Sequence, residues 1–477
     1  MFSWFSWALF LYVGEWVIRL VMLPVVVQRR DPSSATTWLL IIFFFPYFGL
    51  VLYLLIGENR LPRRRVEQHA NLLRELQAIV ERFRSHPNIV RPNLGQRAEL
   101  AVTLAEKLAD LPILGGNNVE FMTETDEVID RLVADIDAAE DHVHLLFYIY
   151  ADDATGRRVM DALAEAVKRG VTCRVLADAV GSRPMFKTLA TKMRDAGIEL
   201  HAMLPVNLFR RNVARIDLRN HRKMAIIDGK TAYAGSQNIV DANYGHKDLA
   251  WHDMMMRLTG PITLEVQAVF LQDWYFETGE VLDNQRVFPD PQVCGETPIQ
   301  TLPSGPSYET ENYQRMVVAG LYAARKQVTI TTPYFVPDEP LMQAMQVAVL
   351  RGVEVNVIVP SRCDQFTVGA AARAYYDDFL VQGGNLYLYT DGLLHAKTIT
   401  IDDGMALVGS SNFDNRSFAL NFELNMLLYG PQVTEELLAR QRYYLQQSTP
   451  LDLEEWRKRP ALAKLIENTA RLLSPLL

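Results

Sequence analysis

The sequence is poor in cysteine and has no excess of basic residues, and both shortages exclude classes of protein. Its 477 residues include three cysteines. Cys173, Cys294 and Cys363 show no CxxC or Cys/His spacing, so neither a disulfide framework nor a zinc site is expected. The formal net charge of −8 argues weakly against a general nucleic-acid-binding protein. Apolar residues make up 49% of the chain, which excludes wholesale disorder.

Charged residues are absent from Pro32 to Gly57. The stretch Thr37–Gly57 within it is long enough to span a bilayer as one helix, with Pro46 as a kink. Upstream, Phe5–Val27 is nearly as apolar but carries Glu15 and Arg19, which lie one helical turn apart and can pair. The sequence predicts a hairpin of two transmembrane helices over residues 1–60. A cleaved signal peptide and an interfacial helix are the alternatives for the first helix, and the lack of basic residues in Met1–Trp7 disfavours the signal peptide.

Arginines flank the two apolar stretches unequally. Arg29 and Arg30 lie between the stretches, whereas Arg60 and Arg63–Arg65 follow the second one. The larger cluster predicts that both termini and the downstream part are cytoplasmic, although the two loop arginines count against it. A helical linker is predicted next, over residues 61–112, with an amphipathic helix at Val66–Arg84.

The remaining chain reads as a duplicated α/β unit. Strand-like runs such as HVHLLFYIY (His142–Tyr150) and VTITTPYFV (Val328–Val336) are each followed by a helix and a further strand. This alternation predicts two similar lobes, each with a mixed sheet flanked by helices, over residues 113–282 and 283–477. The Pro- and Gly-containing stretch Val281–Tyr308 is the best boundary between the lobes.

One segment occurs twice in register, as NHRKMAIIDGKTAYAGSQNI and LHAKTITIDDGMALVGSSNF. Both copies place His, Lys and Asp at relative positions 0, 2 and 7, Gly-Ser at 14 and 15, and Asn at 17. The polar positions are His221, Lys223, Asp228, Ser236 and Asn238 in the first copy, and His395, Lys397, Asp402, Ser410 and Asn412 in the second. Asp-Gly after alternating apolar residues predicts a β-hairpin in each copy.

This spacing suits phosphoryl transfer without a metal ion. Positions 0 and 2 of a strand share a face, so each His projects together with its Lys. If the copies meet across a pseudo-two-fold interface, one imidazole can attack phosphorus while the other protonates the leaving alcohol. The lysines, together with Ser236, Asn238, Ser410 and Asn412, are expected to bind the phosphate oxygens.

Two kinds of carboxylate accompany the motifs. Asp228 and Asp402 follow their histidines by seven residues, about 23 Å along a straight strand, so we expect them to shape the turns. Asp253 and Glu423 each precede a Gly-Pro pair by seven residues. They are better placed to orient a histidine and stabilise its protonated form.

The two HxKx4D segments followed by GSxN resemble the phospholipase D superfamily. LRNHRKMAIIDGK, PYFVPD and GSSNFDNRSFALNFE, behind an N-terminal segment with RRDPSS and FFFPYFGLVLYLLIGE, are similar to bacterial cardiolipin synthases over essentially the whole chain. The resemblance implies a bilobal α/β fold with one active site between the lobes. It also implies that two phosphatidylglycerol molecules give cardiolipin and glycerol through a phosphatidyl-histidine intermediate, with no metal or other cofactor.

The same resemblance implies individual roles. His221 would be the nucleophile and His395 the general acid and then base, with Glu423 serving His221 and Asp253 serving His395. It also implies catalytic importance for Asp228 and Asp402, which the strand length disfavours.

Other functions stay open at this stage. The nearest alternative is a phospholipase D or other phosphodiesterase, including a nuclease, and a second is a catalytically silent lipid-binding scaffold. Phosphatidylethanolamine remains open as donor, and so does assembly into a homo-oligomer. The C-terminal segment Ala461–Leu477 either touches the membrane or, more commonly for such a segment, packs on its own domain.

Overall fold

The computed structural model describes residues 2–30, 32–57, 85–205, 217–245, 249–282, 286–308 and 310–474. Arg60, Arg63–Arg65 and the predicted helix Val66–Arg84 lie outside these ranges. The helices are α1 (Phe2–Arg29), α2 (Pro32–Phe44), α3 (Pro46–Ile56), α4 (Gln96–Ala109), α5 (Thr125–Asp137), α6 (Ala154–Lys168), α7 (Arg183–Thr188), α8 (Ala190–Asp195), α9 (Ile262–Thr278), α10 (Asn312–Ala323), α11 (Glu339–Leu350), α12 (Phe366–Val381), α13 (Asn415–Ala419), α14 (Pro431–Gln446), α15 (Leu453–Arg457) and α16 (Ala461–Arg471).

The strands carry labels in chain order. They are β1 (Leu114–Met122), β2 (His142–Phe147), β3 (Thr172–Asp178), β4 (Glu199–Met203), β5 (Arg219–Asn220), β6 (Lys223–Ile227), β7 (Thr231–Gly235), β8 (Trp251–His252), β9 (Met255–Thr259), β10 (Thr297–Ser304), β11 (Gln327–Thr331), β12 (Glu354–Pro360), β13 (Asn385–Tyr389), β14 (Leu393–Leu394), β15 (Thr398–Ile401), β16 (Met405–Gly409), β17 (Asn421–Tyr429) and β18 (Ser448–Pro450).

The second predicted transmembrane helix is wrong as a continuous helix. Thr37–Gly57 is divided between α2 and α3, and the chain breaks at Phe45, where φ and ψ are −132° and 71°. Proline accounts for the break, because Pro46 has no N–H to donate and disfavours helical geometry at the residue before it. Over the described residues, α1 has the one helical span, Trp7–Arg29, that is long and apolar enough to cross a membrane.

The predicted linker 61–112 is helical in its described part only over α4. Residues 85–95 form turns and an isolated bridge instead. One face of α4, carrying Ala101, Val102 and Ala105, is buried in the core of the second half beside Met316 and Val317 of α10. This helix is therefore part of a domain core as well as a connection along the chain.

The α/β prediction is confirmed, and both lobes contribute to one sheet. In the described residues its order is β18-β13-β12-β11-β15-β16-β17-β10-β1-β9-β7-β6-β2-β3-β4. Each lobe has three parallel strands (β2-β3-β4 and β11-β12-β13) beside an antiparallel part. The lobes join where β1 pairs with β10. The stretch Val281–Tyr308, predicted as the boundary, thus contains the strand that connects the two halves.

The C-terminal helix packs on the domain. The Arg471 guanidinium lies 4.4 Å from the centre of the Tyr375 ring on α12 and 2.7 Å from the Asp378 carboxylate. Leu462 and Leu465 on the other side of α16 are exposed.

Candidate active site

Both copies of the repeated segment form the predicted β-hairpins. In the first, β6 and β7 pair across Asp228-Gly229-Lys230, and in the second, β15 and β16 pair across Asp402-Asp403-Gly404. The histidines stand just before the first strand of each hairpin. The sequence therefore predicts these local elements correctly from alternation and turn residues alone.

Backbone contacts between the halves bring the two motifs together. The His221 N–H donates to the Phe422 carbonyl at 2.8 Å, and the His395 N–H donates to the His252 carbonyl at 2.8 Å. Short parallel pairings continue both contacts, β5 with β17 and β8 with β14. Each histidine is thus held by a strand of the opposite half.

Each imidazole also contacts a carboxylate from the opposite half. The distance from His221 Nδ1 to Glu423 is 3.0 Å, and that from His395 Nδ1 to Asp253 is 2.7 Å. These contacts are crossed in the manner that the resemblance implies. Because a carboxylate accepts from Nδ1–H, Nε2 is the nitrogen that carries the lone pair of the neutral ring.

The two lysines lie next to the histidines of their own motifs. Lys223 Nζ donates to the His221 carbonyl at 2.6 Å, and Lys397 Nζ donates to the His395 carbonyl at 2.5 Å. Burial lowers the pKa of Lys223 to about 8 and that of Lys397 to about 7. Lys397 also lowers the pKa of His221, and Lys223 that of His395, so the charges of the two motifs act on each other.

Burial sets the protonation of the histidines and carboxylates. It lowers the pKa of His221 to about 4, although Glu423 opposes the shift. It also lowers the pKa of His395, with Lys397 adding to the effect. Burial alone would raise the pKa of Asp253 and Glu423, but their contacts to histidine and lysine hold both below the ordinary values. At neutral pH the site therefore holds neutral imidazoles on ionised carboxylates.

The two motif serines do not have the predicted phosphate-binding arrangement. The Ser236 hydroxyl donates to Asp253 at 2.6 Å and accepts from the Met254 N–H at 2.9 Å. The Ser410 hydroxyl donates to Glu423 at 2.5 Å and accepts from the Leu424 N–H at 2.9 Å. Because one hydroxyl proton makes one such bond, these serines position the carboxylates.

The two asparagines differ in their contacts. The side-chain carbonyl of Asn238 accepts from the Ile149 N–H at 2.9 Å, which leaves its NH2 group as a donor. The side-chain oxygen of Asn412 is buried and has no hydrogen-bond partner among the described residues. Both asparagines keep donor capacity for a phosphate oxygen.

The catalytic assignment of Asp228 and Asp402 does not agree with their positions. Asp228 lies in the hairpin turn with φ 53° and accepts from the N–H groups of Glu140, Asp141 and His142 at 2.8–3.0 Å. Asp402, with φ 51°, accepts in the same way from the N–H groups of residues 325–327. They hold the turn against the start of a neighbouring strand, because a strand of this length carries them away from the histidines.

Sequence reasoning missed the aromatic rings beside the histidines and the buried ion pair of Arg222. The Tyr148 ring lies 4.9 Å from the His221 ring, and the Trp251 ring lies 4.8 Å from the His395 ring. Arg222, buried beside His221, pairs with Asp273 at 2.6 Å and donates to the Glu423 carbonyl at 3.1 Å. Trp251 lies two residues before Asp253, so its proximity to a motif carboxylate was an available signal. Tyr148 lies within the predicted strand His142–Tyr150, far along the chain from both motifs, and had no such signal.

Comparisons with known proteins agree over the whole chain. Residues 132–274 and 317–442 match the family model described as "Cardiolipin synthase, PLD-like domain", and residues 16–58 match "Phospholipase D-nuclease N-terminal". The chain is 36% identical to cardiolipin synthase A of Proteus mirabilis (strain HI4320) over 99% of this chain and 98% of that protein. It is also 36% identical to cardiolipin synthase A of Pectobacterium carotovorum subsp. carotovorum (strain PC1), with the same coverage.

A solved structure shares the fold. The crystal structure of the phosphatidylserine synthase of Haemophilus influenzae Rd KW20 matches with a TM-score of 0.61 and 16% identity, over 79% of this chain and 100% of that chain. Together with the two family-model segments, it identifies the repeated phospholipase D-like architecture. The chain belongs to the bacterial cardiolipin synthase family of the phospholipase D superfamily, and it is a phospholipid phosphatidyltransferase.

Proposed function

We propose that this protein condenses two phosphatidylglycerol molecules to cardiolipin and glycerol through a phosphatidyl-histidine intermediate on His221. The observation that carries the proposal is the crossed pair of imidazole–carboxylate contacts, His221 with Glu423 and His395 with Asp253. Two imidazoles fixed through Nδ1 in one buried site can act on the same phosphorus atom, one as nucleophile and one as acid.

In the first half-reaction, His221 Nε2 attacks the phosphorus of the donor lipid. Its low pKa supplies the neutral imidazole that the attack requires. The bond from phosphorus to the headgroup glycerol oxygen breaks, and protonated His395 gives its proton to that oxygen. Glu423 stabilises the positive charge that forms on the His221 ring.

His395 becomes protonated only when the substrate is bound. Its pKa is lowered in the free site by burial and by Lys397. A phosphodiester anion between the lysines offsets their charge, and so it raises the proton affinity of His395. Lys223, Lys397, Asn238 and Asn412 then bind the non-bridging oxygens, which gain charge as the transition state forms.

In the second half-reaction, His395 removes the proton from a headgroup hydroxyl of a second phosphatidylglycerol. That oxygen attacks phosphorus, the phosphorus–nitrogen bond breaks, and His221 is restored. Because both reactants are lipids, we place the site at the headgroup plane of the inner membrane, with the lobes on the cytoplasmic side. The arginines that follow the second apolar stretch support this side.

Radiolabelled phosphatidylglycerol tests the proposal. Purified full-length protein in bilayers should release glycerol and form cardiolipin, and acid-quenched samples should carry labelled phosphate on His221. Formation of phosphatidic acid without cardiolipin would show that the protein is a phospholipase D and would overturn the proposal. Label on His395 alone would reverse the two roles, and unchanged lipid turnover in His221→Ala and His395→Ala would indicate a scaffold.

A further inference from the structure

The uncharged stretch Thr37–Gly57 folds as two short helices that lie side by side. Trp38 in α2 and Tyr53 in α3 would be about 22 Å apart along one straight helix, yet their ring centroids are 5.2 Å apart. Gly49 lies against the backbone of α2, where a Cβ would stand 2.7 Å from the Ile42 Cα atom. The helix α3 therefore turns back along α2, and the turn is the break at Phe45-Pro46.

Polar groups of α1 support this turn. Arg19 Nε donates to the Phe43 carbonyl at 3.1 Å, near the end of α2, and its guanidinium pairs with Glu15 at 3.1 Å. The Tyr47 hydroxyl, just after the turn, donates to the Leu11 carbonyl at 2.7 Å. A broken helix inside a bilayer needs such partners, because lipid cannot satisfy a free carbonyl. The Glu15–Arg19 pair therefore supports the turn between α2 and α3, in addition to neutralising two charges within an apolar helix.

Helix lengths show which elements can cross a bilayer. The 13 residues of α2 and the 11 of α3 extend about 20 and 17 Å, short of the ~30 Å hydrocarbon core. The apolar part of α1 has 23 residues and is long enough. The turn lies beside the middle of α1, at Leu11 and Arg19, and its Phe44, Phe45 and Phe48 side chains are 63–74% exposed.

We propose that α2 and α3 form a re-entrant hairpin that enters the membrane from the lobe side, buries its aromatic tip among lipid acyl chains and returns to the same face. The chain then crosses the membrane once, through α1. Its N-terminus lies on the face opposite the catalytic lobes.

The distribution of charge agrees with a single crossing. With a re-entrant hairpin, Arg29 and Arg30 lie on the same face as Arg60 and Arg63–Arg65, and the opposite face receives Met1–Ser6, which has no charged side chain. Two full crossings would instead place Arg29 and Arg30 opposite the larger cluster. The single crossing thus follows the positive-inside rule without exception.

Cysteine labelling tests the number of crossings. The full chain in sealed membrane vesicles carries one reporter at a time: Ser3→Cys, Gln28→Cys or the native exposed Cys294, with the other cysteines replaced by Ala or Ser. A membrane-impermeant maleimide should label Gln28→Cys and Cys294 from one side and Ser3→Cys from the other. Labelling of Ser3→Cys together with Cys294, and of Gln28→Cys from the opposite side, would establish two crossings. Labelling of all three from one side would exclude a crossing. Either result overturns the proposal.

A cross-link tests the hairpin itself. Trp38→Cys combined with Tyr53→Cys should be joined by oxidation or a short bifunctional reagent. The matched control, Trp38→Cys with Leu54→Cys, should not be joined, because Leu54 faces outward and is 73% exposed. A continuous helix would leave both pairs unlinked and overturn the proposal. Neither readout uses catalytic activity, so failure here and failure of the proposed phosphatidyl transfer are distinguishable.

Discussion

The two copies of the motif share a backbone arrangement and differ in the groups around their histidines. His221 has Glu423, the Tyr148 ring and buried Arg222 beside it. His395 has Asp253, the Trp251 ring and Ala396 at the position that corresponds to Arg222. Duplication can thus supply two equivalent imidazoles, while neighbouring side chains make them chemically unequal. This difference is where distinct roles as nucleophile and acid would arise.

Removing either histidine should lower activity most strongly, and by different amounts for the two motifs. We expect His221→Ala to lower kcat roughly 10⁶-fold, as loss of a nucleophile does, and His395→Ala about 10²–10⁴-fold, the range of general acid catalysis. A lipid donor with a good leaving group, such as nitrophenol, needs no acid. It should therefore restore headgroup release in His395→Ala and not in His221→Ala. Restoration in His221→Ala alone would indicate that His395 is the nucleophile and His221 the general acid.

Neutral substitutes for the carboxylates should reproduce this difference in the response to an activated donor. Glu423→Gln and Asp253→Asn leave a partner that does not fix the tautomer, so each should lower kcat roughly 10²–10⁴-fold. Asp253→Asn should be restored by the activated donor, because Asp253 acts through His395. Equal restoration of both variants would contradict the crossed pairing as a functional arrangement.

The depressed lysine pKa values predict a loss of activity at high pH. The free site loses ammonium charge as pH rises through about 7 at Lys397 and about 8 at Lys223. We therefore expect kcat/KM to fall above pH 7, by up to about tenfold per pH unit between these two values and more steeply above about pH 8. Bound phosphodiester raises the pKa of both lysines, so the fall in kcat should lie at higher pH. Lys397→Arg should move the fall in kcat/KM to higher pH. If the fall stays at the same pH, the titrating group is not Lys397.

The serines should have a moderate effect that separates positioning from binding. Because each hydroxyl makes one hydrogen bond to a carboxylate, Ser236→Ala and Ser410→Ala should lower kcat about tenfold and leave KM unchanged. Ser→Thr at either position keeps the hydroxyl and is the control. An increase in KM with unchanged kcat would restore the phosphate-binding role.

The motif aspartates should have the smallest effect on catalysis. Asp228→Ala removes the acceptor of three backbone N–H groups, which should lower the free energy of unfolding by about 1–3 kcal/mol. Thermal unfolding measures this loss, and kcat per folded molecule should stay close to that of the unaltered protein. Asp228→Asn retains an acceptor and tolerates positive φ, so its loss should be smaller. A large fall in kcat without loss of stability would support the catalytic assignment.

The sequence predicted which residues pair in the site, but it did not predict all of the hydrogen bonds that they make. Register between the copies indicated His221 and His395, and the alternation with Asp-Gly gave both hairpins. The direction of the Ser236 and Ser410 hydroxyls could not be read, because it depends on carboxylates carried by other strands. Hydropathy indicated the apolar stretch Thr37–Gly57, and Pro46 indicated a kink within it. The return of α3 along α2 could not be predicted, because it is supported by the contacts of Arg19 and Tyr47 between this stretch and α1.

The joint between β1 and β10 constrains how lipids can exchange. Moving the lobes apart would separate Leu114 from Ile299 and Asn117 from Thr297. It would therefore break the continuous sheet between β1 and β10. We therefore expect the two halves to keep their relative position during turnover, so that under the proposed mechanism the leaving glycerol departs before the acceptor headgroup takes its place beside His395. Under the proposed mechanism, added glycerol should compete with the incoming lipid for the phosphatidyl-enzyme and re-form the donor lipid.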